Sequence, residues 1–131
     1  MGNLIFNGLA GRVLPQDGVK ASASGVELTL KNPLPKVVMH EFKIEKITQY
    51  AEIFLNGELI TEELYRKMRV TIKEKIMELP ELEQMAEVVI PHSPPSTVWI
   101  PIPIQAGQSL SLKMVVKLKK PLVFEITRTV Q

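Results

Sequence analysis

Two histidines, thirteen glutamates, one aspartate and no cysteine are the side chains available for metal or acid–base chemistry. His40-Glu41 opens like a zinc-protease motif, which needs a second histidine four residues after the first, but position 44 is Ile. Without cysteine, His40 and His92 complete a four-ligand zinc site only by recruiting carboxylates, so both are read as surface or hydrogen-bonded side chains. Serine offers no nucleophile. No G-x-S-x-G occurs, and Ser22-Ala23-Ser24-Gly25 lacks the strand-to-helix context that exposes such a serine. The early glycines match neither the dinucleotide fingerprint nor the P-loop. Six of the thirteen glutamates fall on segments expected to be helical, where they make a solvated face rather than an acid–base pair. The expectation is a non-enzymatic protein with no metal and no cofactor.

The charges say more about partners. Lys113, Lys117, Lys119 and Lys120 cluster late in the chain. The net charge is only +2, and that segment has no interleaved aromatics on which bases would stack, so nucleic acid is not the expected partner. Residues 41–87 hold 7 basic and 11 acidic groups, residues 88–131 hold 5 and 1, and residues 1–40 hold 4 and 2. The balances are −4, +4 and +2, which sum to +2. Opposed fields suit association of complementary surfaces between copies. They equally suit an acidic segment lying on the chain's own basic sheet, and both readings stay open.

The elements that must carry these groups are β-rich. With 131 residues, 45% hydrophobic and 23% charged, the chain is one domain by length and too apolar for disorder. No run approaches the roughly 18 apolar residues of a membrane span. Residues 1–10 lack the basic region of a signal peptide, and Phe6 stands where myristoylation wants Ser or Thr. A soluble protein, cytoplasmic or part of a virion, is expected.

Residues 1–24 read as an extended arm broken by turns at Asn7-Gly8 and Asp17-Gly18, with Leu4, Ile5 and Phe6 as its apolar island. Val26, Leu28 and Leu30 alternate with Glu27 and Thr29 as a half-buried strand. Residues 37–50 read as a longer extended run with a bulge near Glu45-Lys46. Asn56-Gly57 is the strongest hairpin signal, opposing Leu55 to Glu58, Phe54 to Leu59 and Ile53 to Ile60. Apolar pairs then lie on both faces, so the hairpin is covered twice or sits at an interface.

Thr61 with Glu62-Glu63 reads as a helix start. Leu64, Met68, Ile72, Ile76 and Leu79 follow at helical spacing, which predicts helix over 62–66 and 73–86, with 67–72 open between helix and strand. Residues 88–90 return to strand. Pro101 and Pro103 delete donors from one side of an extended chain, which predicts an edge strand over 98–104. Residues 108–120 and 122–130 alternate cleanly as the last two strands.

Together these predict an all-β chain: one β-sandwich or jelly-roll-like domain over residues 1–131, with about seven or eight antiparallel strands. Residues 1–24 form its arm and residues 61–87 a short helical insertion, helical around 62–86. The stretch from Trp99-Ile100-Pro101 to Leu110-Ser111-Leu112 resembles a strand–turn–strand of virion β-sandwich subunits. That resemblance implies a capsid or virion component and carries over no site residue.

The expected function is a structural or interaction protein, a subunit of a homo-oligomer or a partner of other assembly proteins. The interface candidates are Leu4, Ile5 and Phe6 of the arm, Ile53, Phe54, Leu59 and Ile60 of the hairpin, and Trp99, Pro101 and Pro103. The alternative is a small ligand-binding module, or an accessory subunit of an enzyme complex, holding a carbohydrate-type ligand beside Trp99, Tyr50 or His92.

Overall fold

Alternating side chains in three separated segments build the largest sheet. The computed structural model describes residues 12–131, so the arm residues Leu4, Ile5 and Phe6 and the Asn7-Gly8 turn lie outside the described residues. Strands β1 (Val19–Ser22), β2 (Gly25–Leu30), β6 (Arg69–Ile72), β7 (Lys75–Glu78) and β9 (Ser96–Ile100) pair antiparallel in the order β1-β2-β9-β6-β7. Their register lines up Val19, Leu28, Val98, Val70 and Met77 as one apolar row across all five strands. The opposite face carries the row Lys20, Glu27, Trp99, Arg69 and Glu78. The Arg69 guanidinium stacks over the Trp99 ring, 4.8 Å from its centroid, and the indole N–H donates to the Ser22 carbonyl (3.0 Å). Gly25 makes room for that ring: a Cβ there would overlap the Ile100 carbonyl and come within 2.8 Å of the indole.

Strands β4 (Ala51–Leu55), β5 (Glu58–Leu59), β10 (Ser109–Val116) and β11 (Leu122–Thr129) form a second antiparallel sheet, ordered β11-β10-β4-β5. Strands β3 (Lys36–His40) and β8 (Glu87–Pro91) form a third, two-stranded one. The two larger sheets meet along one side. Beyond β11, Gln131 N–H donates to Val19 O (2.8 Å) and Ala21 N–H to Gln131 O (3.0 Å). Arg128 reinforces the junction, donating through Nε (3.1 Å) and Nη2 (2.9 Å) to the Leu14 carbonyl. Leu14 and Val19, from the segment expected to be an arm, are 2% and 0% exposed within the chain's own core.

Among the elements lying wholly in the described residues, three short helices close the space between sheets: α1 (Ile44–Tyr50), α2 (Glu62–Tyr65) and α3 (Leu79–Leu82). Thr61 Oγ1 caps α2 by accepting from Leu64 N–H (3.3 Å), as the Thr-Glu-Glu signal predicts. In α3, Pro80 occupies the first turn and Glu81 Oε1 accepts from Glu78 N–H (3.4 Å).

The protein is mainly β, with eleven antiparallel strands in three sheets among the described residues rather than seven or eight. Four expectations change. Residues 44–50 are helix, not strand: the apparent slip in alternation is the i, i+3 spacing of Ile44 and Ile47, which turns both toward the core. The insertion at 62–86 is helical only at its ends. Of residues 67–72, 69–72 resolve to strand after a turn at Lys67, and β7 replaces helix over 75–78 because its hairpin with β6 completes the large sheet. Ile76, counted in the helical stripe, is 68% exposed. Finally, the proline segment is not an edge strand. Trp99 pairs with Glu27 on one side and Arg69 on the other, so β9 is interior. Pairing stops at Ile100, where Ile102 N–H donates back to the Ile100 carbonyl (2.8 Å) in a tight turn centred on Pro101. The prolines end the strand instead of blocking one side of it.

Candidate functional site

The inner rows of the two larger sheets do not close onto each other completely. Between them lies a cavity of about 510 Å³, partly open to solvent. One wall is the inner face of the five-stranded sheet, with Leu28, Val98, Val70 and Ile72. Facing it are Ile53 and Leu112 of the four-stranded sheet and Ile60 after β5. The two-stranded sheet closes one side through Val37, Met39, Val88 and Ile90. The helices contribute Ile47, Tyr65, Leu79 and Leu82. Among the described residues the three sheets and these three helices therefore converge on one space, and alternation explains it for β2, β3, β4, β6, β8, β9 and β10, which turn apolar residues there.

Its size decides its significance. Interiors hold few voids larger than a water molecule, whereas ligand pockets run from about 300 to 1,000 Å³. Water settles poorly in such a space, since each molecule needs two to four polar partners.

Two hydroxyls are buried within the residues around the cavity. Tyr65 is 2% exposed, and burial pushes its phenol up to about 12. Ser96, at the start of β9, also belongs to the cavity's lining, and both hydroxyl oxygens are buried out of contact with the open space. Among the described residues neither hydroxyl has a hydrogen-bond partner. Lys31 is the only charged side chain among the described lining residues, and it is exposed, next to Asn32 and Pro33. That loop is held in place from β8: Asn32 Nδ2 donates to Ile90 O (3.0 Å), and His92 Nδ1 lies 2.8 Å from Asn32 O and 3.2 Å from Leu34 O.

The residues singled out from sequence are dispersed. His40 and His92 sit at opposite ends of the two-stranded sheet, with His40 Nδ1 4.0 Å from Glu87 Oε2. No group of three or more metal-ligating side chains is found among the described residues. The hairpin divides as its two-sided pattern requires. Ile53 and Ile60 line the cavity, while Phe54 and Leu59 pair on the outer face, where Lys113 Nζ lies 5.8 Å from the Phe54 centroid. Trp99 is on the far side of the other sheet. Pro101 is half-buried and Pro103 exposed in the connection to β10. Trp99, Tyr50 and His92, the residues of the carbohydrate-type reading, are not among the cavity's lining residues.

Tyr65 and Ser96 were not legible as site residues, because nothing in a single sequence marks a hydroxyl that folding leaves without a partner. No helix among the described residues is long and apolar enough to cross a membrane. No family model matches the chain, and no curated protein matches it in sequence.

Proposed function

We propose that this protein is a non-enzymatic structural subunit that assembles with further copies of itself, its two larger sheets forming a β-sandwich of jelly-roll type. The outer face of the four-stranded sheet carries the reading. One row across all four strands runs Leu59, Phe54, Lys113, Glu125, and the next runs Glu52, Val115, Val123. Leu59 is 47% exposed. Tyr50, 64% exposed, lies just before β4, where Lys117 N–H donates to the Tyr50 carbonyl (2.8 Å).

A second copy is the favoured occupant because the face mixes both charges with apolar residues. A two-fold axis near Phe54 brings Lys113 of one copy toward Glu52 of the other, around an apolar centre. The likeness of the Trp99-to-Leu112 stretch to virion subunits is what supports reading the assembly as a capsid or virion component.

Light scattering on the full chain, at micromolar concentration and above, should return a multiple of the monomer mass. Leu59→Glu should shift that mass toward the monomer while the circular dichroism spectrum stays unchanged. A monomer over the whole range ends the reading, and assembly indifferent to Leu59→Glu removes this face from it.

A further inference from the structure

We propose that the Glu83 carboxylate is a clasp on α1, and that neutralising it opens α1 as a unit while the two larger sheets stay formed. The caps of the three helices carry the proposal. Helices α2 and α3 are capped from within, through Thr61 Oγ1 and Glu81 Oε1. Helix α1 is not: its N-cap residue is Lys43, which makes no side-chain cap bond. The bond comes instead from 39 residues away, where Glu83 Oε2 accepts from Ile44 N–H (3.0 Å). The same carboxylate accepts from Arg66 Nη1 through Oε1 (3.2 Å), and the Glu83 carbonyl accepts from Lys43 Nζ (3.3 Å). A single residue at the end of α3 thereby ties α1 to both other helices.

Helix α1 is poorly made to stand without that tie. Its seven residues are too few for a helix to persist alone in water. Ile44, Ile47 and Thr48 are β-branched, which lowers helix propensity further, and the last turn holds no basic residue. Packing of Ile44 and Ile47 against the core is its other support. Ile47 also lines the cavity, so opening α1 uncovers that wall. Such partial opening needs less free energy than unfolding the sheets. The charged groups facing Glu83 are Lys43 before α1 and Arg66 on α2, with Glu62 sharing Arg66. Both cations and the Ile44 N–H favour the ionised carboxylate, so a proton on Glu83 weakens three contacts together. Glu45, in the first turn of α1, is the other acid beside that cap.

The test is amide hydrogen exchange of the full chain, resolved by NMR and expressed as protection factors, which removes the intrinsic pH dependence. As pH falls below 4.5, residues 47–50 should lose about tenfold in protection relative to β9 and β10, the effect of one helix cap. Glu83→Gln should show that loss already at neutral pH, with β9 and β10 unchanged and little further loss in acid. Should Glu83→Gln not fold, Arg66→Met should show about a threefold loss in α1 at neutral pH. Glu45→Gln should keep the acid response of the parent. Protection lost only in step with β9 and β10, full protection of α1 in Glu83→Gln or Arg66→Met at neutral pH, or an acid response abolished by Glu45→Gln would each overturn the proposal.

Discussion

Asn56 and Ser111 hold each other twice. The Asn56 backbone N–H donates to the Ser111 carbonyl (2.8 Å), and the Ser111 N–H donates to Asn56 Oδ1 (2.8 Å). The turn that joins β4 to β5 thus completes the ladder of β10 beyond Leu55. Asn56 has φ +50° and Gly57 φ +83°, the primed turn that matches strand twist. Asn56→Ala should lose the side-chain bond and destabilise by about 1 kcal/mol. Gly57→Ala should cost about as much from backbone strain alone, since a Cβ there meets nothing within 4 Å. Urea unfolding measures both, and a neutral Gly57→Ala would contradict the turn geometry.

The β6–β7 hairpin turns through Lys73 and Glu74, with φ of +49° and +69°. Neither residue favours that region, so the turn stores strain. Replacing the pair with Asn-Gly should raise stability by about 1 kcal/mol, read as a higher thermal midpoint. A lower midpoint would show that Lys73 or Glu74 makes a contact worth more than the strain.

Tyr65 links stability to alkaline pH. Its phenol titrates near 10.0 when unfolded and near 12 when folded, because burial disfavours the phenolate. A raised folded value means that its contribution is complete below pH 10 and is lost as pH rises through 12. The stability curve should therefore fall across that interval, and Tyr65→Phe should flatten it. At neutral pH the same substitution removes an unpartnered buried hydroxyl and should stabilise by about 1 kcal/mol. Denaturant midpoints against pH decide both points, and identical alkaline slopes in the two proteins would refute the first.

Glu83 links stability to acid. Its Oε2 accepts from Ile44 N–H at the start of α1 (3.0 Å), and its Oε1 from Arg66 Nη1 (3.2 Å), which also reaches Glu62 through Nη2 (2.9 Å). The Ile44 bond first, then the Arg66 charge, hold the carboxyl below its ordinary value of 4.5. A lowered folded value means stability present above 4.5 and lost as pH falls through the folded pKa. The difference in unfolding midpoint between the parent and Glu83→Gln should shrink as pH drops below 4.5. A difference constant down to acid unfolding would mean that the charge does no such work.

Residues 25–30, 51–59, 109–116 and 122–129 announce their strands because two-residue alternation is a local property, and Asn56-Gly57 announces its hairpin because only such residues accept two positive φ values cheaply. Where local signals compete, the assembled sheets decide. Met68 to Leu79 satisfies helical and strand spacing alike, and the open side of β9 makes it a hairpin, even through a Lys-Glu turn. Pro101 and Pro103 say that pairing must fail there, but not whether it fails beside a strand or at its end; having β2 on one flank of β9 and β6 on the other put the failure at the end. The cavity is the extreme case. Each wall is legible as an apolar face, but a volume left between faces is a property of how three sheets approach one another, and so is a tyrosine hydroxyl that folding buries without a partner.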